Sequence, residues 1–135
     1  MPIAHRGRLV DHIHLRVRDV DASKRFYGAV LDALGIPLAG EGDGWFAADD
    51  LWVSEDAEPT SGLHLAFQAP DEETVRRFHE AALAAGGRDN GAPGERHYHP
   101  GYYAAYVLDP DGTNVEAVYH GPARRSTPSV EITWH

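Results

Sequence analysis

Three side chains have the chemistry a divalent cation needs and stand in segments that read as extended: His12, His64 and Glu116. His12 opens the run Asp11-His12-Ile13-His14-Leu15-Arg16-Val17-Arg18-Asp19, where Ile13, Leu15 and Val17 alternate with His12, His14, Arg16 and Arg18. A period of two marks a strand with one apolar face. His64 lies opposite Leu63, Leu65 and Phe67, and Glu116 lies opposite Val115, Ala117 and Tyr119. If each apolar row packs beneath a helix, the imidazoles and the carboxylate face the other side of a sheet. Sheet twist can turn that side into a cavity wall. Two histidines and one glutamate are a three-donor set that leaves coordination positions open for a substrate. The chain has no cysteine, so thiolate ligands and disulfides are excluded.

The elements that position these residues are written twice. The step from His12 to His64 also carries Ile13 to Leu65, Leu15 to Phe67, Asp19 to Asp71, Phe26 to Phe78, Leu31 to Leu83 and Gly35 to Gly87, with no gap. Each copy reads as a strand, a capping acid, an amphipathic helix and a terminating glycine. In the first, Asp19 and Asp21 precede a stripe of Phe26, Tyr27, Val30, Leu31 and Leu34, closed by Gly35 and Pro37. In the second, Pro70-Asp71-Glu72-Glu73 starts a helix that buries Val75, Phe78, Ala82 and Leu83 and ends at Gly86-Gly87.

Three short antiparallel strands are expected after the first helix, at 36–39, 45–48 and 51–54, with Gly40-Glu41-Gly42-Asp43-Gly44 as a turn. After the second helix, Gly91-Ala92-Pro93-Gly94 reads as a turn. Segments 102–108 and 114–119 then form a hairpin around Asp109-Pro110-Asp111-Gly112. The expectation is one domain over 1–135: a first module at about 9–55, a linker at about 56–61, a second module at about 62–120 and a tail at 121–135, where Val130, Ile132 and Trp134 alternate as an edge strand.

With 135 residues, 42% of them hydrophobic and 24% charged, the chain can build one core shared by both modules. A formal charge of −9 disfavours a nucleic-acid surface, which needs cations to replace phosphate counterions. No apolar run has the length of a signal peptide or a membrane span, so no membrane association is expected and a cytoplasmic location is the default expectation.

The chain resembles the vicinal oxygen chelate superfamily, which contains glyoxalase I, type I extradiol dioxygenases, fosfomycin-resistance transferases and bleomycin-resistance proteins. The likeness runs from about Leu9 to His120. It rests on His12-x-x-Leu15-x-Val17-x-Asp19 followed by Ser23-x-x-Phe26-Tyr27-x-x-x-Leu31, on Gly62-Leu63-His64-Leu65-Ala66-Phe67, and on Asp109-Pro110-Asp111-Gly112-Thr113-Asn114-Val115-Glu116. The resemblance implies an α+β fold of two tandem βαβββ modules, whose mixed sheets curl around a central cavity with helices on the outer face. It also implies a divalent metal (Fe, Mn, Zn or Ni) where His12, His64 and Glu116 fall. The implied activity is that of a metal-dependent glyoxalase/dioxygenase-type enzyme acting on a small oxygen-bearing substrate.

Several residues refine that reading. Strand 51–54 offers Trp52 or Val53 where a four-ligand site has its remaining donor, which favours a dioxygenase over a glyoxalase-like lyase. The single lysine, Lys24, lies far from the loop before the last hairpin, unlike the fosfomycin transferases. The alternative is a non-catalytic small-molecule or drug-binding protein of the bleomycin-resistance type. A homodimer is implied by analogy, with modules exchanged in some relatives so that His12 completes a site with His64 and Glu116 of the partner subunit. The catalytic candidates are His14, which shares the face of His12, and His99, Tyr102 and Tyr103. The last three belong to the segment Arg96-His97-Tyr98-His99-Pro100-Gly101-Tyr102-Tyr103, whose side chains can serve as acid, base or anion-stabilising donors. Trp45 and Trp52 are expected either to line the cavity or to fill the core, the core being preferred, and His79 in a structural or exposed place, while His5, His120 and His135 have no supporting context.

Overall fold

The computed structural model describes residue 7 and residues 9–124. The elements follow in the order β1 (Ile13–Val17), α1 (Val20–Ala33), β2 (Gly40–Gly42), β3 (Trp45–Ala48), β4 (Leu51–Glu55), β5 (His64–Gln68), α2 (Glu72–Ala84), β6 (Arg88–Glu95), β7 (Tyr103–Leu108) and β8 (Asn114–Tyr119). They make two four-stranded mixed sheets, ordered β1-β4-β3-β2 and β5-β8-β7-β6. In each, the first strand pairs parallel with the last and the other pairings are antiparallel. The duplication read from the sequence is therefore a duplication of βαβββ topology. Within one chain the two sheets stay separate and do not close into a single wall.

Both helices start where the acids stand. The Asp19 carboxylate accepts from the backbone N–H groups of Asp21 and Ala22, and that of Asp71 accepts from Thr74 N–H. Each satisfies donors that a first helical turn leaves orphaned. The helices touch each other, and Gly87 lets them: a Cβ there would lie 2.7 Å from the Phe26 ring and 2.8 Å from the Ala82 carbonyl oxygen. Leu15, Val17, Phe26, Val30, Phe46 and Val53 of the first module share one buried cluster with Leu65, Val75, Phe78, Val107, Val115 and Ala117 of the second.

Two expectations need correction. The second strand is not at 36–39 but at Gly40–Gly42, inside the glycine-rich stretch read as a turn, because Gly40 and Gly42 pair with Ala47 and Trp45. Likewise Gly91–Gly94 lies inside β6, which bends over β7 through register shifts between Asp89 and Gly91 and between Gly91 and Gly94. Glycine in a strand commonly marks such a bulge. The tail strand expected around Val130, Ile132 and Trp134 lies outside the described residues. Among the described residues, no helix is long and apolar enough to cross a membrane.

One buried polar contact ties the modules together. The Tyr27 hydroxyl, on α1, donates to Asp109 Oδ2 at 2.6 Å, while Asp109 Oδ1 accepts from the backbone N–H groups of Asp111 and Thr113. Arg18 N–H also donates to the Asp111 carboxylate, at 3.2 Å. Burial, reinforced by the Asp109 charge, holds the Tyr27 phenol well above its ordinary pKa. Removing the hydroxyl leaves Asp109 without one of its three donors in a place water does not reach. Tyr27→Phe should therefore lower unfolding free energy by about 1–3 kcal/mol, read as a lower urea midpoint with an unchanged slope.

Candidate functional site

Sheet pairing decides which side chains share the face turned away from the helices. In the second sheet Glu116 has Ala66 and Tyr106 as its cross-strand neighbours, and the alternation that buries Leu65, Val107 and Val115 leaves the opposite face to His64, Tyr106 and Glu116. Glu116 is only 2% exposed, although it lies on the side without a helix. A buried carboxylate needs donors, and two converge on it. His64 Nε2 lies 2.9 Å from Oε1, and the Tyr102 hydroxyl donates to Oε2 through a short hydrogen bond.

This pair fits a cation. Two adjacent ligands about 2.1 Å from one octahedral metal lie about 3 Å apart, and the His64–Glu116 separation of 2.9 Å matches that. The same distance gives a direct hydrogen bond when no cation intervenes. Tyr102 is built as a donor and not as a base: burial first, then the hydrogen bond and charge of Glu116, push its pKa far above the ordinary phenol value. Tyr106 is also pushed upward, by burial first and then by the Glu116 charge.

The third predicted ligand stands elsewhere. His12 Nδ1 is paired with Asp11 Oδ1 at 2.8 Å, and His12 lines a cavity of about 440 Å³ on the first sheet with His14, Ala47, Asp49, Asp50, Leu51 and Trp52. Among the described residues, no group of three or more histidine or carboxylate side chains converges on one point. The structure thus brings His64 and Glu116 together and does not bring His12 to them within one chain. His14 also belongs to the first sheet, where its Nε2 meets Ser54 Oγ at 2.7 Å.

Register explains the difference between the halves. His14 pairs with Trp52 as Ala66 pairs with Glu116, so Trp52 occupies in the first module the place Glu116 takes in the second. Trp45 and Trp52 are not core residues, the preferred of their two expected places: Trp52 is 40% exposed and lines the cavity, and the two rings stack at 4.6 Å and 11° on the helix-free face. Gly42 makes room, since a Cβ there would lie 2.3 Å from Trp45 Nε1.

The loop before β7 divides its candidates. Tyr102 reaches Glu116, whereas Tyr103 points to the opposite face, where its hydroxyl accepts from Arg76 of α2 at 3.3 Å. Tyr103 opens β7 on the side of α2, away from Glu116. His99 donates from Nδ1 to the Pro100 carbonyl and faces His120 Nδ1 through Nε2, at 2.9 Å, with its ring edge-on to Tyr102. His120 had no context in the sequence because its partner lies across the loop. Gly101 and Gly121, both at positive φ, touch backbone to backbone, with a Cβ on Gly101 falling 3.3 Å from the Gly121 Cα. His79 is structural, held to Asp89 at 2.9 Å. Tyr106 went unnoticed in the sequence; its place two strand positions before Leu108, facing Glu116 across the hairpin, was the available signal.

Comparison with known proteins agrees with this architecture. Residues 9–117 match the family model described as the Glyoxalase/Bleomycin resistance protein/Dioxygenase superfamily. Among solved structures, a glyoxalase/bleomycin resistance protein from Albidiferax ferrireducens T118 is 28% identical, covering 82% of this chain and 98% of its own, with a TM-score of 0.71. A glyoxalase/bleomycin resistance protein/dioxygenase family enzyme from Burkholderia phytofirmans PsJN is 23% identical over 80% of this chain and 95% of its own, at TM-score 0.64. A glyoxalase-related enzyme from Fulvimarina pelagi is also 23% identical, over 82% and 87%, at TM-score 0.62. No curated protein matches the chain.

Two outcomes follow from the geometry. Because folding raises the phenol pKa of Tyr102, the folded state keeps a proton the unfolded chain gives up near pH ~10, so this contribution is complete below that pH and is lost as pH rises through the folded value. Alkaline urea titrations of Tyr102→Phe should show a shallower fall of stability with pH than wild type. Gly42→Ala should displace Trp45 and abolish the far-ultraviolet circular-dichroism exciton couplet of the stacked indoles, at a cost of about 1–3 kcal/mol.

Proposed function

The chain belongs to the Glyoxalase/Bleomycin resistance protein/Dioxygenase superfamily, and on that premise we propose that it is a metal-dependent enzyme acting on a small oxygen-bearing substrate, with ring-opening dioxygenation favoured over a glyoxalase-like lyase reaction. Members of the superfamily commonly use divalent metals. The observation that carries the reading is the buried Glu116 carboxylate with the His64 imidazole 2.9 Å away on the helix-free face. His64 and Glu116 supply two donors, and His12 of a second chain supplies the third, which makes the working unit a homodimer. Fe, Mn, Zn or Ni all suit nitrogen and oxygen donors. When bound, the cation supplies a Lewis acid for substrate oxygens.

The chain's own residues prepare that place. Tyr102 spends its proton on Glu116 Oε2 and so turns Oε1 toward His64. Trp52, standing where the repeat would put a second carboxylate, leaves a three-donor set and supports the dioxygenase reading. His99 adds an imidazole beside Tyr102 that can exchange protons with His120.

A second reading rests on the stacked Trp45 and Trp52 beside the 440 Å³ cavity: a non-catalytic binding protein that holds a ligand without metal. Elemental analysis of protein purified without chelator separates the two. The enzyme reading expects about one cation per chain, lost in Glu116→Ala and in His12→Ala. Co-refolding those two variants should restore about a quarter of the wild-type metal, because only mixed dimers hold one intact site. Full metal retention by Glu116→Ala, or none in wild type, refutes the enzyme reading.

A further inference from the structure

We propose that Arg96 is a specificity-determining residue of the second sheet's helix-free face, so that the molecule taken there carries a carboxylate or another oxyanion. The inference deepens the function proposed above and rests on it for the location of the chemistry. Among the described arginines, Arg96 alone is not exposed. In a chain with 21 acidic residues against 12 basic ones, a half-buried arginine would be expected to meet a carboxylate. Arg96 meets none: none of the described ion pairs includes it.

What holds it is backbone and ring. Nη2 donates to the Ala92 carbonyl at 2.7 Å and Nη1 to the Glu95 carbonyl at 3.3 Å, and Cζ lies 5.3 Å from the Tyr106 ring centroid. Two glycines keep the slot open. A Cβ on Gly94 would stand 3.1 Å from Nη1, and one on Gly91 would stand 2.9 Å from Tyr106 Cδ1 and 3.4 Å from Nη2. The guanidinium is thereby fixed in place with part of its five-donor fork uncommitted, and that planar fork matches the two oxygens of a carboxylate or phosphonate.

Its position relates it to the donors. Tyr106 is the cross-strand neighbour of Glu116, and its ring lies 6.1 Å from the His64 imidazole on the side away from the helices. One aromatic ring therefore separates Arg96 from the His64–Glu116 pair. A compact molecule with oxygen donors at one end and an oxyanion at the other spans that interval.

The test uses the metal-stripped full-length protein with benzoate, methylphosphonate and the neutral isostere benzamide as probes. The readout is the Nε–H resonance of Arg96, assigned in wild type by through-bond correlation to its own backbone amide, with tryptophan and tyrosine fluorescence as a second signal. Both anions should give saturable shifts, and benzamide should bind at least about tenfold more weakly than benzoate. In Arg96→Gln, with melting temperature unchanged, that preference should vanish. Should the variant fail to fold, the anion-over-amide preference of wild type at the Arg96 resonance decides alone. Equal binding of benzoate and benzamide, a preference that survives in Arg96→Gln, or no saturable shift up to about 20 mM of either anion overturns the proposal. Because no metal is present, failure here leaves the cation stoichiometry untouched, and failure of the cation measurement leaves this result standing.

Discussion

The arrangement depends on where the Asp109 carboxylate is buried. It ends β7, caps the turn into β8 by accepting from Asp111 and Thr113, and receives the Tyr27 hydroxyl from the other module. A carboxylate removed from water is tolerated only when its lone pairs are taken up, and burial alone pushes its pKa upward. The group that shapes the hairpin is thus also the group that fastens the first module to it. That hairpin carries Glu116 and Tyr106, with Tyr102 at its entry.

A second buried carboxylate obeys the same rule with a different result. Asp109 is satisfied largely by backbone, which fixes a shape, whereas Glu116 is satisfied by two side chains, His64 and Tyr102, that come from a neighbouring strand and a loop. Side-chain partners can be exchanged for a cation or a substrate atom without undoing a turn. That contrast separates a structural acid from one available for chemistry, although the two residues lie on the same hairpin.

Much of this was legible in the sequence. Alternation placed β1, β5 and β8 and the faces of His12, His64 and Glu116, because a one-residue slip would have exposed Leu15, Leu65 or Val115. The acids and glycines bounding both helices were equally plain. Less legible were β2 and β6, since Gly40, Gly42, Gly91 and Gly94 carry the composition of turns while their backbones pair as strands. Local chemistry could not reveal that Trp45 lies over β2, nor that His120 meets His99 across a loop, because both depend on contacts between distant parts of the chain. Tyr102 and Tyr103 looked equivalent as residue types and were separated only by which of them begins facing Glu116.

The contact of Gly101 with Gly121 joins two segments distant in sequence. With no side chain between them, the chain just past β8 packs directly on the loop before β7. Tyr102 is the next residue along that loop, and the orientation of the Glu116 carboxylate follows its hydroxyl. The acid at the centre of the second sheet therefore takes its orientation from a loop seated against the chain that leaves the very strand carrying that acid.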